Sequence, residues 1–441
     1  MSALSEDRLI SFFEKNFFKA LFREKYLRYN SIRHFDRANT NTYQKGCVTM
    51  ANFDFINNRT FDDRVTAFAP QTPQMIPGDR PFTSVALDTG AKVQPNGDVQ
   101  FAFYAPKAEN VIVVFNLPGA KEPLPLEKGT DGIWRGVLPY DPLFCGPKAF
   151  TFVVDGAEVI SPFCPEFFIY NRTTNYVEIP DPNTPYVLMR DVPHGTVASE
   201  FYWSDAFGAE QKCYIYLPPE YYKGGEYPVL FLQHGNSENE TSWIFNGKIN
   251  HIMDNLIADG KAVPFIVVMN DGMQRAEYEG EMDSGRGLAH SLIENCIPML
   301  EKKYRVRKDK WGRAIAGFSM GSCQASIIGL EFTDYFAYTG LLSGFMRRVG
   351  PGMDTEKSFD INSHLRIMED KERFTKEVAL FYRSIGSMDH HKVAFDTDDE
   401  ICAEKGFDAY PNVVRFVAEG YPHDWSAMRV LFHDFAQRLF K

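Results

Sequence analysis

The chain has 441 residues, 44% of them hydrophobic, and a formal net charge of −11. That length exceeds one ordinary domain and supplies enough apolar residues for two cores, so two domains are expected. The acidic balance, without a dominating basic face, excludes a nucleic-acid binder, since phosphate neutralisation needs one, and no run of about 18 apolar residues offers a membrane span.

Residues 1–49 differ in kind from the rest. Leu9, Ile10, Phe13, Phe17 and Leu21 recur at helical spacing, while Lys15, Lys19, Arg23, Lys25 and Arg28 make the stretch basic in an acidic protein. Met50 opens "MANFDF" where the composition changes, so the upstream part reads as a basic extension without a catalytic role. It lacks the compact apolar core of a secretory signal. The seven cysteines (Cys47, Cys145, Cys164, Cys213, Cys296, Cys323 and Cys402) are scattered with no C-x-x-C spacing, which reads as reduced core thiols and a cytoplasmic location.

After a linker over 50–84, residues 85–180 read as all-β. "VQPNGDVQFAFYAP" sets Asn96-Gly97 between two strand-like runs, a hairpin signal, and "NVIVVF" and "AFTFVVDG" continue the short-strand rhythm of a β-sandwich. The stretches "FAFYAPKAENVIVVF", Asp131-Gly132-Ile133-Trp134 and "FTFVVDG" resemble the early-set, immunoglobulin-like modules, related to glycogen-binding domains, that precede catalytic domains in many carbohydrate-active enzymes. Trp134 is a candidate for stacking on a sugar ring, against the plainer reading of a core residue. Pro180, Pro182 and Pro185 then suggest an extended linker over 181–194.

From 195 to 441 strands alternate with helices, the pattern of a mainly parallel sheet flanked by helices. Candidate strands are 213–217, 229–233, 265–270, 313–317, 338–342, 378–385 and 413–417, with helices around 252–258 and 292–303. Active sites of such sheets lie beyond the carboxyl ends of the strands. Ser319, in Gly317-Phe318-Ser319-Met320-Gly321, falls just after one. A serine on a sharp strand-to-helix turn needs neighbours without a Cβ two residues either side, which Gly317 and Gly321 provide, and the helix behind it aims the N–H of Met320 at an oxyanion.

A nucleophilic serine needs a base and an acid, which in the α/β-hydrolase order follow it in the chain. His423, in "VVRFVAEGYPHDW", follows the last candidate strand and is the candidate base. His390 and His391 follow the preceding strand, where the acid belongs; His433 lies in the terminal helix; His194, His251, His290 and His364 sit before the required position or on helix and loop stretches; His34 is in the extension. Asp389, in Gly386-Ser387-Met388-Asp389, is the first carboxylate after "VALFYRSIG" and would orient the imidazole. Asp396, Asp398, Asp399 and Glu400 compete, though their clustering reads as a solvated acidic loop. Asp389-His390-His391 gives no metal site, because adjacent side chains of one loop need further ligands to converge on an ion. The other oxyanion donor is the backbone N–H of Asn236 or Ser237, in the His234-Gly235-Asn236-Ser237-Glu238 loop after "VLFLQ".

"YPVLFLQHGNSENETSW", "INHIMDNLIADGKAVPFIVVMNDG", "IPMLEKKYRVRKDKWGRAIAGFSMGS" and "GYPHDW" together resemble the esterase family that includes feruloyl and acetylxylan esterases of carbohydrate esterase family 1, esterase D and enterobactin esterases. The resemblance implies an α/β-hydrolase catalytic domain behind the immunoglobulin-like sandwich, with Ser319 as nucleophile, His423 as base and Asp389 as acid. Two positions depart from the family, Asn236 where a second Gly follows the HG pair and Ser322 where G-G follows S-M. The resemblance further implies a serine ester hydrolase that needs no cofactor and acts on feruloyl or acetyl esters of xylan-derived oligosaccharides. The other readings are a siderophore trilactone esterase and a carbohydrate-binding protein with a disabled hydrolase domain. Oligomeric state is open, a homo-oligomer included.

Overall fold

The computed structural model describes residues 89–115, 121–273, 284–347 and 363–441; the extension over 1–49 and the linker over 50–84 lie outside them. Short alternating runs build the first part. One sheet runs in the order β1 (Gly90–Val93), β2 (Val99–Tyr104), β6 (Ile133–Leu138), β5 (Glu127–Lys128). The other runs β4 (Leu124–Pro125), β3 (Val111–Phe115), β7 (Gly146–Val154), β10 (Arg172–Ile179), β9 (Glu166–Ile169), with β8 (Ala157–Val159) beside β7. The hairpin predicted at Asn96-Gly97 joins β1 to β2, antiparallel from Val93 against Val99. Phe101 of one sheet meets Phe115 and Phe150 of the other edge-on, with ring centroids 5.9 and 5.0 Å apart, the favoured aromatic geometry. Trp134 is buried in this core and donates its Nε1–H to Ala105 O at 2.9 Å, so it is a core residue and presents no ring to a sugar.

The second part is an eight-stranded sheet. Its strands are β11 (Thr196–Ser204), β12 (Ala209–Leu217), β13 (Val229–Gln233), β14 (Ile266–Asn270), β15 (Arg313–Phe318), β16 (Tyr338–Leu342), β17 (Leu380–Gly386) and β18 (Val413–Ala418), in the spatial order 11-12-14-13-15-16-17-18. β13 to β18 are mutually parallel, and β12 is antiparallel to β11 and β14. Every residue of β13, β14, β15, β16 and β17 is buried, because apolar cores cover both faces. β14 and β15 lie on opposite sides of β13, so the strand order reverses there. The loops leaving β13 and β15 flank that crevice, where ligands of such sheets bind. Four helices matter for the site or its support: α1 (Ile249–Ala258), α2 (Met320–Glu331), α3 (Lys392–Lys405) and α4 (Trp425–Ala436). The helix expected over 292–303 is a π-helical turn, Ser291–Cys296, running into an α-helix, Ile297–Lys303.

The sandwich shares the core of the sheet's α4 side: Ala149, Phe167 and Ile169 are buried in one cluster with Trp243, Trp425 and Met428. Two buried ionic groups cross the same boundary. Lys148 of β7 pairs with Asp424, and Glu178 of β10 binds both Arg429 of α4 and Lys248. Burial alone would raise the Glu178 carboxyl, but Arg429 and Lys248 hold it down to about 2. The stretch over 181–194, expected to be an extended linker, is packed instead. Val187 joins the core, Tyr186 stacks on His433 at 3.7 Å, and Asp181 accepts a hydrogen bond from Tyr421 Oη at 2.8 Å. Among the described residues no helix is long and apolar enough to cross a membrane, and all six cysteines are free thiols.

Candidate active site

Ser319 sits between β15 and α2 with φ +53°, ψ −112°, a positive-φ backbone outside the left-handed helical well and rare for a residue with a Cβ. The glycines on either side are required by close approach. A Cβ on Gly317 would stand 2.3 Å from Gly321 C, and one on Gly321 would stand 2.5 Å from His234 O. The strained turn therefore presses the nucleophile loop against the loop after β13. Ser322 is buried and donates its Oγ–H back to Ser319 O at 2.6 Å.

The fold brings the three predicted side chains together from three different strand ends. Asp389 Oδ2 accepts from His423 Nδ1 at 2.7 Å, and His423 Nε2 accepts from Ser319 Oγ at 3.1 Å. A carboxylate accepting at Nδ1 fixes the proton there, which leaves the Nε2 lone pair facing the serine. Burial alone would raise Asp389, yet its hydrogen bond to His423 holds the carboxyl below its usual range. The competing acids stand elsewhere. They lie on α3, a helix where a solvated loop was expected: Asp398 is fully buried with Arg347, Asp399 bridges Arg383 and Arg415, and Asp396 pairs with Lys392. The other histidines are also placed apart, His194 with Asp254, His290 with Glu294, and His364 on Met346 O. His390 and His391, by contrast, pack edge-on against His423.

Of the two donors expected on the loop after β13, Ser237 N–H is turned to Met273 Sδ at 3.3 Å. Asn236 N–H has no acceptor among the described residues, and Met320 N–H lies in the open first turn of α2. The loop is held from three sides. Glu238 accepts from Gly235 N at 3.0 Å and from Trp425 Nε1 at 2.7 Å; His234 Nε2 accepts from Gly272 N at 3.0 Å; Asn171, in the β9–β10 turn of the sandwich, donates its N–H to Ser237 O at 2.8 Å.

Two functional neighbours escaped the sequence reading. Ser343, with φ +51°, donates to Asp389 Oδ2 and stands 3.3 Å from His423 Nδ1. Its signal was its position, the first residue after β16, beside the nucleophile's strand. Glu238 carried no signal, since nothing in its spacing told of burial under Trp425.

Such a row can move a proton from a serine hydroxyl to an imidazole beside backbone donors, the equipment of acyl transfer. Residues 204–405 match the family described as "Putative esterase". Residues 88–158 match carbohydrate-binding module 48, the isoamylase N-terminal domain. Over 262 residues the chain is 38% identical to the endo-1,4-beta-xylanase/feruloyl esterase of Xylanibacter ruminicola, a match taking in 57% of this chain and 36% of that protein. It is 29% identical over 141 residues to endo-1,4-beta-xylanase Y of Acetivibrio thermocellus, 30% of this chain and 12% of that one. The chain thus spans about a third or less of the length of these relatives. The enterobactin esterase of Shigella flexneri, 12% identical, superposes with a TM-score of 0.54 over 77% of this chain and 93% of that one, which establishes the shared α/β-hydrolase fold.

Proposed function

We propose that the chain is a serine carboxylic-ester hydrolase that removes feruloyl or acetyl groups from xylan-derived oligosaccharides. The observation that carries this reading is the continuous hydrogen-bonded row from Ser319 through His423 to Asp389. His423 Nε2 takes the serine proton as Oγ attacks the ester carbonyl. Asp389 keeps the imidazole oriented and stabilises its cation. The N–H groups of Met320 and Asn236 hold the developing oxyanion. His423 then returns the proton to the departing sugar alcohol, and a water deprotonated by the same nitrogen releases the acid from the acyl-enzyme.

The feruloyl preference is supported by the name of the Xylanibacter relative, and the sugar context by the carbohydrate-binding-module match. In this reading residues 85–180 form the sandwich module, 181–194 its connection and 195–441 the hydrolase domain. Free thiols fit a reducing compartment supplied with imported oligosaccharides. The likeness to enterobactin esterase bears on the fold and gives the trilactone reading no separate support.

The test is a substrate panel of a feruloylated arabinoxylo-oligosaccharide, an acetylated xylo-oligosaccharide and a cyclic tri-serine trilactone. One of the first two should exceed the trilactone in kcat/KM by at least tenfold, or about 1.4 kcal/mol in transition-state binding. Preference for the trilactone, or no turnover of any ester, would overturn the assignment.

A further inference from the structure

His390 and His391 have no part in the row of bonds, yet the fold sets them against its base. Ring centroids of His390 and His391 lie 4.1 Å apart, and those rings lie 4.7 and 4.9 Å from the ring of His423. One ring nitrogen from each of the three falls within 4.8 Å of the others. The sequence argued against a metal at Asp389-His390-His391 for want of a further ligand from outside the loop. The turn before α4 supplies it.

We propose that His390, His391 and His423 form a binding site for a divalent transition metal of the zinc, copper and nickel class, and that occupation of this site reversibly blocks the esterase. The blocking half rests on the function proposed above; the binding half does not. Three imidazole ligands with no carboxylate oxygen among them suit these ions and not magnesium or calcium. Two nitrogens bound to one tetrahedral zinc at about 2.1 Å stand roughly 3.4 Å apart, so closing the site moves each ring inward by about 1 Å or less. His390 is half exposed, on a turn, and free to make that movement.

Hydrogen bonding decides which nitrogen of His423 is available to the ion. Nδ1 gives its proton to Asp389, so the available lone pair is that of Nε2. Asp389 then stands as the carboxylate behind a metal-bound histidine, an arrangement that fixes the ring and strengthens it as a ligand. The same lone pair must accept the proton of Ser319. Metal and reaction compete for one pair of electrons, and the loaded protein is inactive until a chelator removes the ion.

The experiment uses the full chain stripped with a chelator. Zinc is titrated by calorimetry, cobalt by its visible absorption, and hydrolysis of p-nitrophenyl acetate is followed at each metal concentration. One ion should bind per chain, cobalt should give the intense bands of four-coordination, and the inhibition constant should equal the binding constant. His390→Gln and His391→Gln should each weaken binding and inhibition together, by about tenfold or more, since each removes one of three protein ligands. Each variant's metal-free rate is its own reference. Ser319→Ala should bind zinc as the wild type does, which separates the site from the esterase reading should hydrolysis fail. Absence of stoichiometric binding, or unchanged zinc affinity and inhibition in both histidine variants, would overturn the proposal.

Discussion

Lys148→Met tests how the sandwich supports the base. In the native protein the Lys148 ammonium is buried against the Asp424 carboxylate, next in chain to His423. Asp424 caps α4, accepting from Ser426 N at 2.8 Å. Burial alone would raise its carboxyl, and Lys148 overcomes that and holds it below its usual range. Removing one member of a buried pair costs about 3–5 kcal/mol because the other charge stays behind unpaired. The remaining hydrogen bonds of the cap place the expected loss near the lower figure, about 3 kcal/mol at pH 8. The sign of the pH dependence follows. With Lys148 gone, burial raises Asp424 above its unfolded value, so the variant keeps most of its stability at low pH and loses it as pH rises through the raised value. Urea unfolding at pH 5 and pH 8 should therefore show a deficit that widens with pH. Lys148→Met combined with Asp424→Asn should recover part of it, since the cap survives without the charge. A deficit under about 1 kcal/mol at pH 8, the scale of an exposed pair, or one equal at both pH values, would show that Lys148 does not hold the buried Asp424 charge.

Gly321→Ala places a Cβ 2.5 Å from His234 O, so melting should report a loss of about 3 kcal/mol, the upper end of overpacking, together with lost turnover; near-native values would show the close approach to be unnecessary. Asp389→Asn should leave the fold intact and lower kcat by about 10⁴ through the wrong imidazole tautomer, as read from ester hydrolysis and circular dichroism. Glu238 is pushed by burial up to about 7, against roughly 4.3 unfolded. Its contribution to stability is thus full below that lower value and falls by about 3 kcal/mol as pH rises to 7; urea unfolding should show this fall in the wild type and not in Glu238→Gln.

The parallel strands were legible because strands buried on both faces carry continuous apolar runs, as in 229–232 and 266–269. β11 was not, because an edge strand alternates exposed and buried residues and carries no such run. Ser319, His423 and Asp389 could be read from chain order at strand ends. Three contacts could not, because they depend on pairing across distant segments: Ser343 on Asp389, Glu238 under Trp425, and the sandwich turn at Asn171 against Ser237. The packing of residues 181–194 was hidden for a related reason. Prolines announce an extended backbone but not what Tyr186 and Val187 will be buried against.

Whether Ser319 is the nucleophile is read out by a fluorophosphonate probe with peptide mapping. The wild type should be labelled at Ser319 and at no other serine, because only a hydroxyl beside a base and oxyanion donors is nucleophilic at neutral pH. Ser319→Ala should escape labelling and lose about a millionfold in kcat, with its melting temperature nearly unchanged. Labelling at another serine, or unimpaired ester hydrolysis by the Ser319→Ala protein, would contradict the account.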